Sequence, residues 1–145
     1  MNYATALIHL PLVRESRGQP VRTPEQVLEC CCDLRDLAQE AFHVLLLDTK
    51  NVLINRHMIS LGIVNSSLVH AREVLRAAVT EGAAGIILVH NHPSGDPSPS
   101  IEDLRITRQL VQAGKIIDIP VLDHVIIGRS GRAFTSMRDD ALVEF

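Results

Sequence analysis

The chain has 145 residues, enough for one domain with a real core. Its 46% hydrophobic and 21% charged residues are ordinary for a globular protein, and with three Phe, one Tyr and no Trp the core is built from Leu, Ile, Val and Ala. A net charge of −3 and a pI near 6.1 exclude the strong basic footprint of a nucleic-acid surface, and no apolar run reaches the roughly 18 residues of a membrane helix. The sequence shows no basic-apolar-small leader, so the expected location is the cytoplasm.

Residues 1–22, with Pro11, Gly18 and Pro20, read as an extended lead-in that carries no chemistry. Arg14, Arg17 and Arg22 there are a solvated surface group. Thr23-Pro24-Glu25-Gln26 is a helix start, with Thr23 as N-cap, Pro24 at N1 and Gln26 closing a capping box. Val27, Cys30, Cys31, Leu34 and Leu37 recur at helical spacing, which predicts a helix to about Ala38. Consecutive Cys30, Cys31 and Cys32 point about 100° apart on a helix and cannot converge on one metal. With no C-x-x-C and no further Cys, they are expected to pack rather than react, and an unbridged trio fits a reducing compartment.

His43-Val44-Leu45-Leu46-Leu47 is the continuous apolar run of a buried strand. Asp48-Thr49-Lys50-Asn51 is a hairpin turn by composition, followed by a strand from Val52 to about Ile63. Ser66 or Ser67 is a candidate cap for a helix from roughly Ala71 to Glu81, closed by Gly82. Gly85–Val89 is a central strand, and Ile101 to about Ala113 a helix with Leu104, Leu110 and Val111 inward and Gly114 as its stop. Asp123–Gly128 is another strand, and Arg129-Ser130-Gly131-Arg132 its turn. This order predicts a single α/β domain over 23–145, layered around a mixed sheet.

The chemistry concentrates between His90 and Asp103. In a strand, side chains at i and i+2 share a face, so His90 and His92 can project together. A catalytic zinc site commonly takes three protein ligands and leaves a position for water. Asp103, in the first turn of the following helix, is placed to be the third, with Ser100 on the same helix face as a donor to an oxyanion. A bland alternative stands beside this one: Ser100-x-x-Asp103 also resembles a capping box, which explains both residues without metal. A hydrolytic site needs a base as well. Glu40, at the entry to a central strand, is the leading candidate. Glu73 has Arg72 and Arg76 beside it, and Glu102 should point away from whatever Asp103 faces. Asp123 and His124 could orient a metal ligand or form a satisfied buried pair. His70 is a possible cap or site contact, whereas His9, His43 and His57 look incidental.

The run His90-Asn91-His92-Pro93-Ser94-Gly95-Asp96, then Pro99-Ser100 and Asp103, resembles the H-x-H-P-x(6)-S-x-x-D core of the JAMM (MPN/JAB) zinc metallopeptidases. Its HNHPSG form is similar to the RadC family within that superfamily. Leu47–Asn51, Asn65–His70 with Arg72-Glu73-Val74, and Asp123–Gly128 resemble further family segments, so the likeness covers roughly residues 23–137. It implies a JAB/MPN-like α-β-α layered fold, zinc on His90, His92 and Asp103, Ser100 as oxyanion donor and Glu40 as base. Ala71 departs from the family's usual Pro, which should affect only a helix start. The helix-hairpin-helix segment common in RadC-like proteins is not found in these residues, so DNA contacts through it are not expected.

Two readings follow. In the first, the chain is a zinc-dependent peptidase or isopeptidase in which Glu40 takes a proton from zinc-bound water, and the partner is a peptide or protein conjugate. In the second, as the RadC resemblance implies, it is a DNA-repair or recombination accessory protein whose metal site is structural or vestigial. Zinc nucleobase deamination is disfavoured, because neither H-x-E nor P-C-x-x-C occurs.

Overall fold

The short apolar runs pair into one sheet. Strands β1 (Ala41–Leu47), β2 (Leu53–Leu61), β3 (Gly85–Asn91), β4 (Val121–Ile127) and β5 (Phe134–Ser136) lie in the order β2-β1-β3-β4-β5. Strand β1 is antiparallel to both neighbours, β3 is parallel to β4, and β5 returns antiparallel along β4, so the sheet is mixed. The parallel pair is connected through helix α3 (Ile101–Ile116), since parallel strands require a crossover. The computed structural model describes residues 18, 20–62, 69–129 and 133–145. Residues 1–17 of the expected lead-in, the Ser66 or Ser67 cap and the 130–132 tip of the last turn lie outside the described residues.

Strand alternation sorts the core into two layers. Phe42, Val44, Leu46, Ile86, Leu88 and Ile126 pack with Val74 and Ala78 of helix α2 (Ala71–Thr80) and with Ile106, Leu110 and Val111 of α3. Leu45, Leu47, Ile87, Val89, Val125 and Ile127 face the opposite way, against Val27 of helix α1 (Pro24–Cys30) and Cys31 and Leu34 beyond it. This is an α-β-α layered domain. Among the described residues no helix is long and apolar enough to cross a membrane.

Local chemistry explains most element ends. Thr23 and Gln26 form the predicted reciprocal capping box with Pro24 at N1. Asp48 Oδ1 accepts the N–H groups of Lys50 and Val52 at 2.8 and 2.9 Å, closing the β1–β2 turn. Three expectations are corrected and one strand is unanticipated. Helix α1 stops at Cys30, and a 3₁₀ turn runs Cys32–Asp36. The i, i+3 spacing of Cys31, Leu34 and Leu37 suits a three-residue turn as well as an α-helix. Arg56 donates to the Cys30 carbonyl at 3.1 Å where α1 ends. Strand β3 extends past Val89 because His90 and Asn91 pair with Ile126 and Ile127. Helix α3 passes through Gly114 to Ile116, because that glycine serves a close approach: a Cβ there would lie 2.5 Å from the Ile119 carbonyl oxygen. Strand β5, three residues long, has no apolar run to announce it. Of the cysteines, Cys31 is buried, Cys30 half-buried and Cys32 exposed, all as free thiols.

Candidate metal centre

The extra length of β3 carries His90 into the sheet, on the face that α2 and α3 cover. His92 follows directly, and its N–H is held by the Ile127 carbonyl at 2.9 Å. Gly95 N–H returns to the His92 carbonyl at 2.9 Å, so the Pro/Ser/Gly loop curls tightly toward α3. Ser100 then caps α3, and Asp103 in its first turn faces back to the histidines. His90 Nε2 lies 3.0 Å from His92 Nε2 and 3.3 Å from Asp103 Oδ1, while His92 Nε2 is 3.2 Å from Asp103 Oδ2. Glu40, at the mouth of β1, brings Oε1 to 3.7 Å from His90 Nε2 and 3.5 Å from His92 Nε2. The four side chains can offer ligand atoms that all lie within 4.8 Å of one another.

Hydrogen bonds assign the imidazole protons. Thr107 Oγ1 donates to the Asp103 carbonyl one turn back at 2.6 Å, so it must accept from His124 Nδ1. His124 Nε2 is then an acceptor, and His90 Nδ1 donates to it across 2.8 Å. His92 Nδ1 donates to the Asp96 carbonyl, also at 2.8 Å. With these tautomers His90 and His92 each turn an Nε2 lone pair inward, 3.0 Å apart and against a carboxylate. An electron-rich focus of this kind calls for a proton or a metal cation. A four-coordinate metal with ligands at about 2.0–2.2 Å sets neighbouring ligand atoms about 3.3 Å apart; the separations here lie near that value, the two histidines meeting different oxygens of Asp103.

The electrostatics agree. Where protons and not a metal fill that focus, burial works to raise the Asp103 carboxyl, but hydrogen bonds from His90 and His92, the His90 charge and the Ser100 N–H outweigh it and hold the group well below the usual carboxylate range. Burial works to lower the His92 pKa, yet its bonds to Asp103 and the Asp96 carbonyl, with the charges of Asp103 and Glu40, leave it raised. Complete burial, with His90 charge beside it, drives His124 well below its ordinary value and keeps it neutral. Phe42 stacks on the His90 ring at 5.8 Å between centroids and meets His124 edge-on, forming the apolar wall behind both.

The other candidates fall elsewhere. Ser100 Oγ accepts the Asp103 N–H at 3.0 Å while its own N–H donates to Asp103 Oδ2 at 2.8 Å, so the capping box forms even though Asp103 also faces the cluster. A hydroxyl that accepts at a cap keeps a proton to donate. Glu73 pairs with Arg76 on α2, and Glu102 lies 4.0 Å from Arg105; neither belongs to the cluster. Asp123 is buried away from it, accepting from Ser136 Oγ, His124 N and Arg138 N at 2.6, 2.7 and 3.1 Å. Of the pair at the start of β4, His124 alone touches a site residue. His70 stands at the α2 cap position without a side-chain capping bond, His57 pairs with Glu81, and His43 is buried with Nδ1 unpartnered. Thr107 and Asn91 escaped notice in the sequence. For Thr107 the signal was its place four residues after Asp103 on one helix face.

A layered α/β domain with two histidines and two carboxylates converging at the end of its central strands fits a metallohydrolase-like site. The chain belongs to the RadC-like JAB domain family, which matches residues 21–142. It is 52% identical over 124 residues to a UPF0758 protein of Desulforamulus reducens, covering 85% of this chain and 54% of that one. Against a UPF0758 protein of Caldanaerobacter subterraneus the identity is 46% over 137 residues, with 94% and 58% covered. A UPF0758 protein of Methanosarcina mazei is 48% identical over 111 residues, with 77% and 48% covered. The chain thus spans about half the length of the curated relatives it matches.

Proposed function

We propose that this domain is a zinc-dependent hydrolase of amide bonds, acting on a peptide or protein conjugate. The observation that carries the reading is the position of Glu40 beside the His90, His92 and Asp103 cluster. His90 and Asp103 are almost wholly buried, whereas the Glu40 side chain is 21% exposed and lines a cleft with Ala38, Gln39, Gly62 and Pro93. The ligand trio faces inward, and Glu40 stands on the side from which water and substrate enter. Two imidazole nitrogens and a carboxylate oxygen are a donor set that zinc takes in hydrolytic sites.

A bound divalent ion supplies Lewis acidity toward water and toward an amide carbonyl. His90 and His92 would hold it through Nε2, with their tautomers set by His124 and the Asp96 carbonyl. Glu40 takes the proton of the attacking water and passes it to the leaving amine nitrogen. Ser100 donates its hydroxyl to the carbonyl oxygen as that oxygen gains charge. The alternative, a DNA-repair or recombination accessory role around a structural metal, draws on the family likeness, and the net charge of −3 does not favour it.

Metal analysis and a peptide-library cleavage assay read by mass spectrometry, on parent, Glu40→Gln and His92→Ala, test the proposal. Parent with one zinc and measurable turnover, Glu40→Gln with zinc but no turnover, and His92→Ala with neither are the expected results. Zinc-free parent prepared without chelator overturns the metal assignment. Loss of zinc from Glu40→Gln would make Glu40 a ligand, and retained turnover in that variant would remove it as the base.

A further inference from the structure

We propose that Asn91, between the two histidines, is the positioning residue for Glu40; the inference rests on Glu40 being the base. Its side chain is buried at 1% exposure and reaches across to the segment on either side of Glu40. Oδ1 accepts the Ala41 N–H at 2.8 Å, and Nδ2 donates to the Gln39 carbonyl at 3.0 Å. One flip state of the amide satisfies both groups, since the N–H needs an acceptor and the carbonyl a donor.

This pair of bonds takes the place of sheet pairing. The β1–β3 ladder runs from Leu47↔Gly85 to Phe42↔His90 and stops there. One residue further, Ala41 would meet Asn91, and the side-chain amide of Asn91 does what a strand peptide would do, exchanging a donor and an acceptor with the backbone of residues 39–41. Glu40 is thereby clamped through both of its peptide neighbours. On the β2 side its own carbonyl accepts from Gly62 N–H at 2.7 Å, so the backbone around Glu40 is held from two strands.

The ligands do not depend on this clamp. The backbone of Asn91 stays paired with Ile127 of β4, and His92 N–H bonds to the Ile127 carbonyl at 2.9 Å. His90 is fixed separately by His124. Strand alternation completes the division: His90 projects toward α3, and the intervening Asn91 projects to the other side and anchors the base. One tripeptide thus carries two ligands and the group that sets Glu40 against them.

Asn91→Ala separates these roles. Zinc affinity by calorimetric titration should stay within about three-fold of parent, while the Ala41 amide loses hydrogen-exchange protection. On the best peptide from the library, kcat should fall by about 10- to 100-fold with little change in KM, the loss expected for a base displaced by about 1 Å. In a double-mutant cycle, adding Asn91→Ala to Glu40→Gln should lower the residual rate no further. Additive losses, or a drop in zinc affinity comparable to that of His92→Ala, would overturn the inference. So would a fully protected Ala41 amide in the variant. If the parent cleaves no peptide, the proposed function fails by itself, and the exchange and zinc measurements still decide whether Asn91 holds the Glu40 segment apart from the ligands.

Discussion

His124 Nε2 accepts from His90 Nδ1 at 2.8 Å, and both rings are fully buried. Neither imidazole can turn without leaving a buried nitrogen unpaired, and Thr107 fixes the far end of the chain at the Asp103 carbonyl. The proton order on His90 is therefore set from α3, the helix that also supplies Asp103. Replacing His124 with Ala should leave His90 free to take the other tautomer. Loss of such a partner typically weakens metal binding by about 10- to 100-fold. Zinc titration by calorimetry checks it, and an unchanged affinity would mean that His124 merely fills the core.

One substitution separates the cap that Ser100 makes from the oxyanion role proposed for it. Its oxygen caps α3 by accepting from Asp103 N–H, and its proton is available to a substrate carbonyl. Ser100→Ala should cost about 1 kcal/mol of stability from the lost cap, read as a shift in denaturant midpoint. The proposed ligands His90, His92 and Asp103 remain, so metal content should hold. An oxyanion donor adds a fall of about 10²-fold in kcat. A stability loss with unchanged turnover would leave Ser100 as a cap alone.

What could be read from the sequence depended on how local the determinant is. His90, His92, Ser100 and Asp103 lie within one strand–loop–helix unit, so strand parity pairs the histidines and helix spacing pairs Ser100 with Asp103, while the motif resemblance joins the two pairs. The capping box of α1 is legible for the same reason. Glu40 could be placed only by its position before a strand. Its clamp by Asn91 depends on how β1 registers against β3, a relation between residues 50 positions apart that periodicity does not carry. Gly114 shows a different limit. A glycine near a helix end signals either a stop or a close contact, and the contact, with the Ile119 carbonyl, belongs to the chain's return toward β4.

The His92–Asp103 contact gives the metal-free protein a defined pH dependence. The folded-state pKa of His92 is raised, so its contribution to stability is fully present below the unfolded value of about 6.5 and is lost as pH rises through the folded value. The Asp103 carboxyl is lowered, so its contribution is present above about pH 3.9 and is lost as pH falls toward its folded value. Chelator-treated protein should therefore lose stability on the alkaline side of about pH 6.5, and His92→Gln should flatten that limb. Zinc affinity should move oppositely, rising with pH over the same window, because binding displaces the His92 proton. Thermal melts with and without chelator check both signs, and parallel curves would exclude the linkage.

Two glycines test whether the loop carrying His92 is held from β4. A Cβ on Gly128 would lie 2.5 Å from the Gly95 carbonyl oxygen and 2.8 Å from Pro97 Cδ, so the end of β4 and the loop touch with no room for a methyl group. Arg129 reinforces the contact, donating from its backbone to the Gly95 carbonyl at 2.7 Å and from its guanidinium to the Pro93 carbonyl at 3.0 Å. Gly114 is equally tight, at 2.5 Å from the Ile119 carbonyl oxygen, but it lies in the last turn of α3, far along the helix from Asp103. Overpacking of this kind costs about 1–3 kcal/mol, and against a backbone oxygen at 2.5 Å it should outweigh the roughly 1 kcal/mol that alanine gains over glycine inside a helix at Gly114. Both Gly128→Ala and Gly114→Ala should therefore lower the denaturant midpoint. Zinc affinity should fall in Gly128→Ala, because the Asp96 carbonyl that orients His92 belongs to the displaced loop, and should stay near parent in Gly114→Ala. Equal zinc affinities in the two variants would show that the loop adjusts to the added methyl without moving His92.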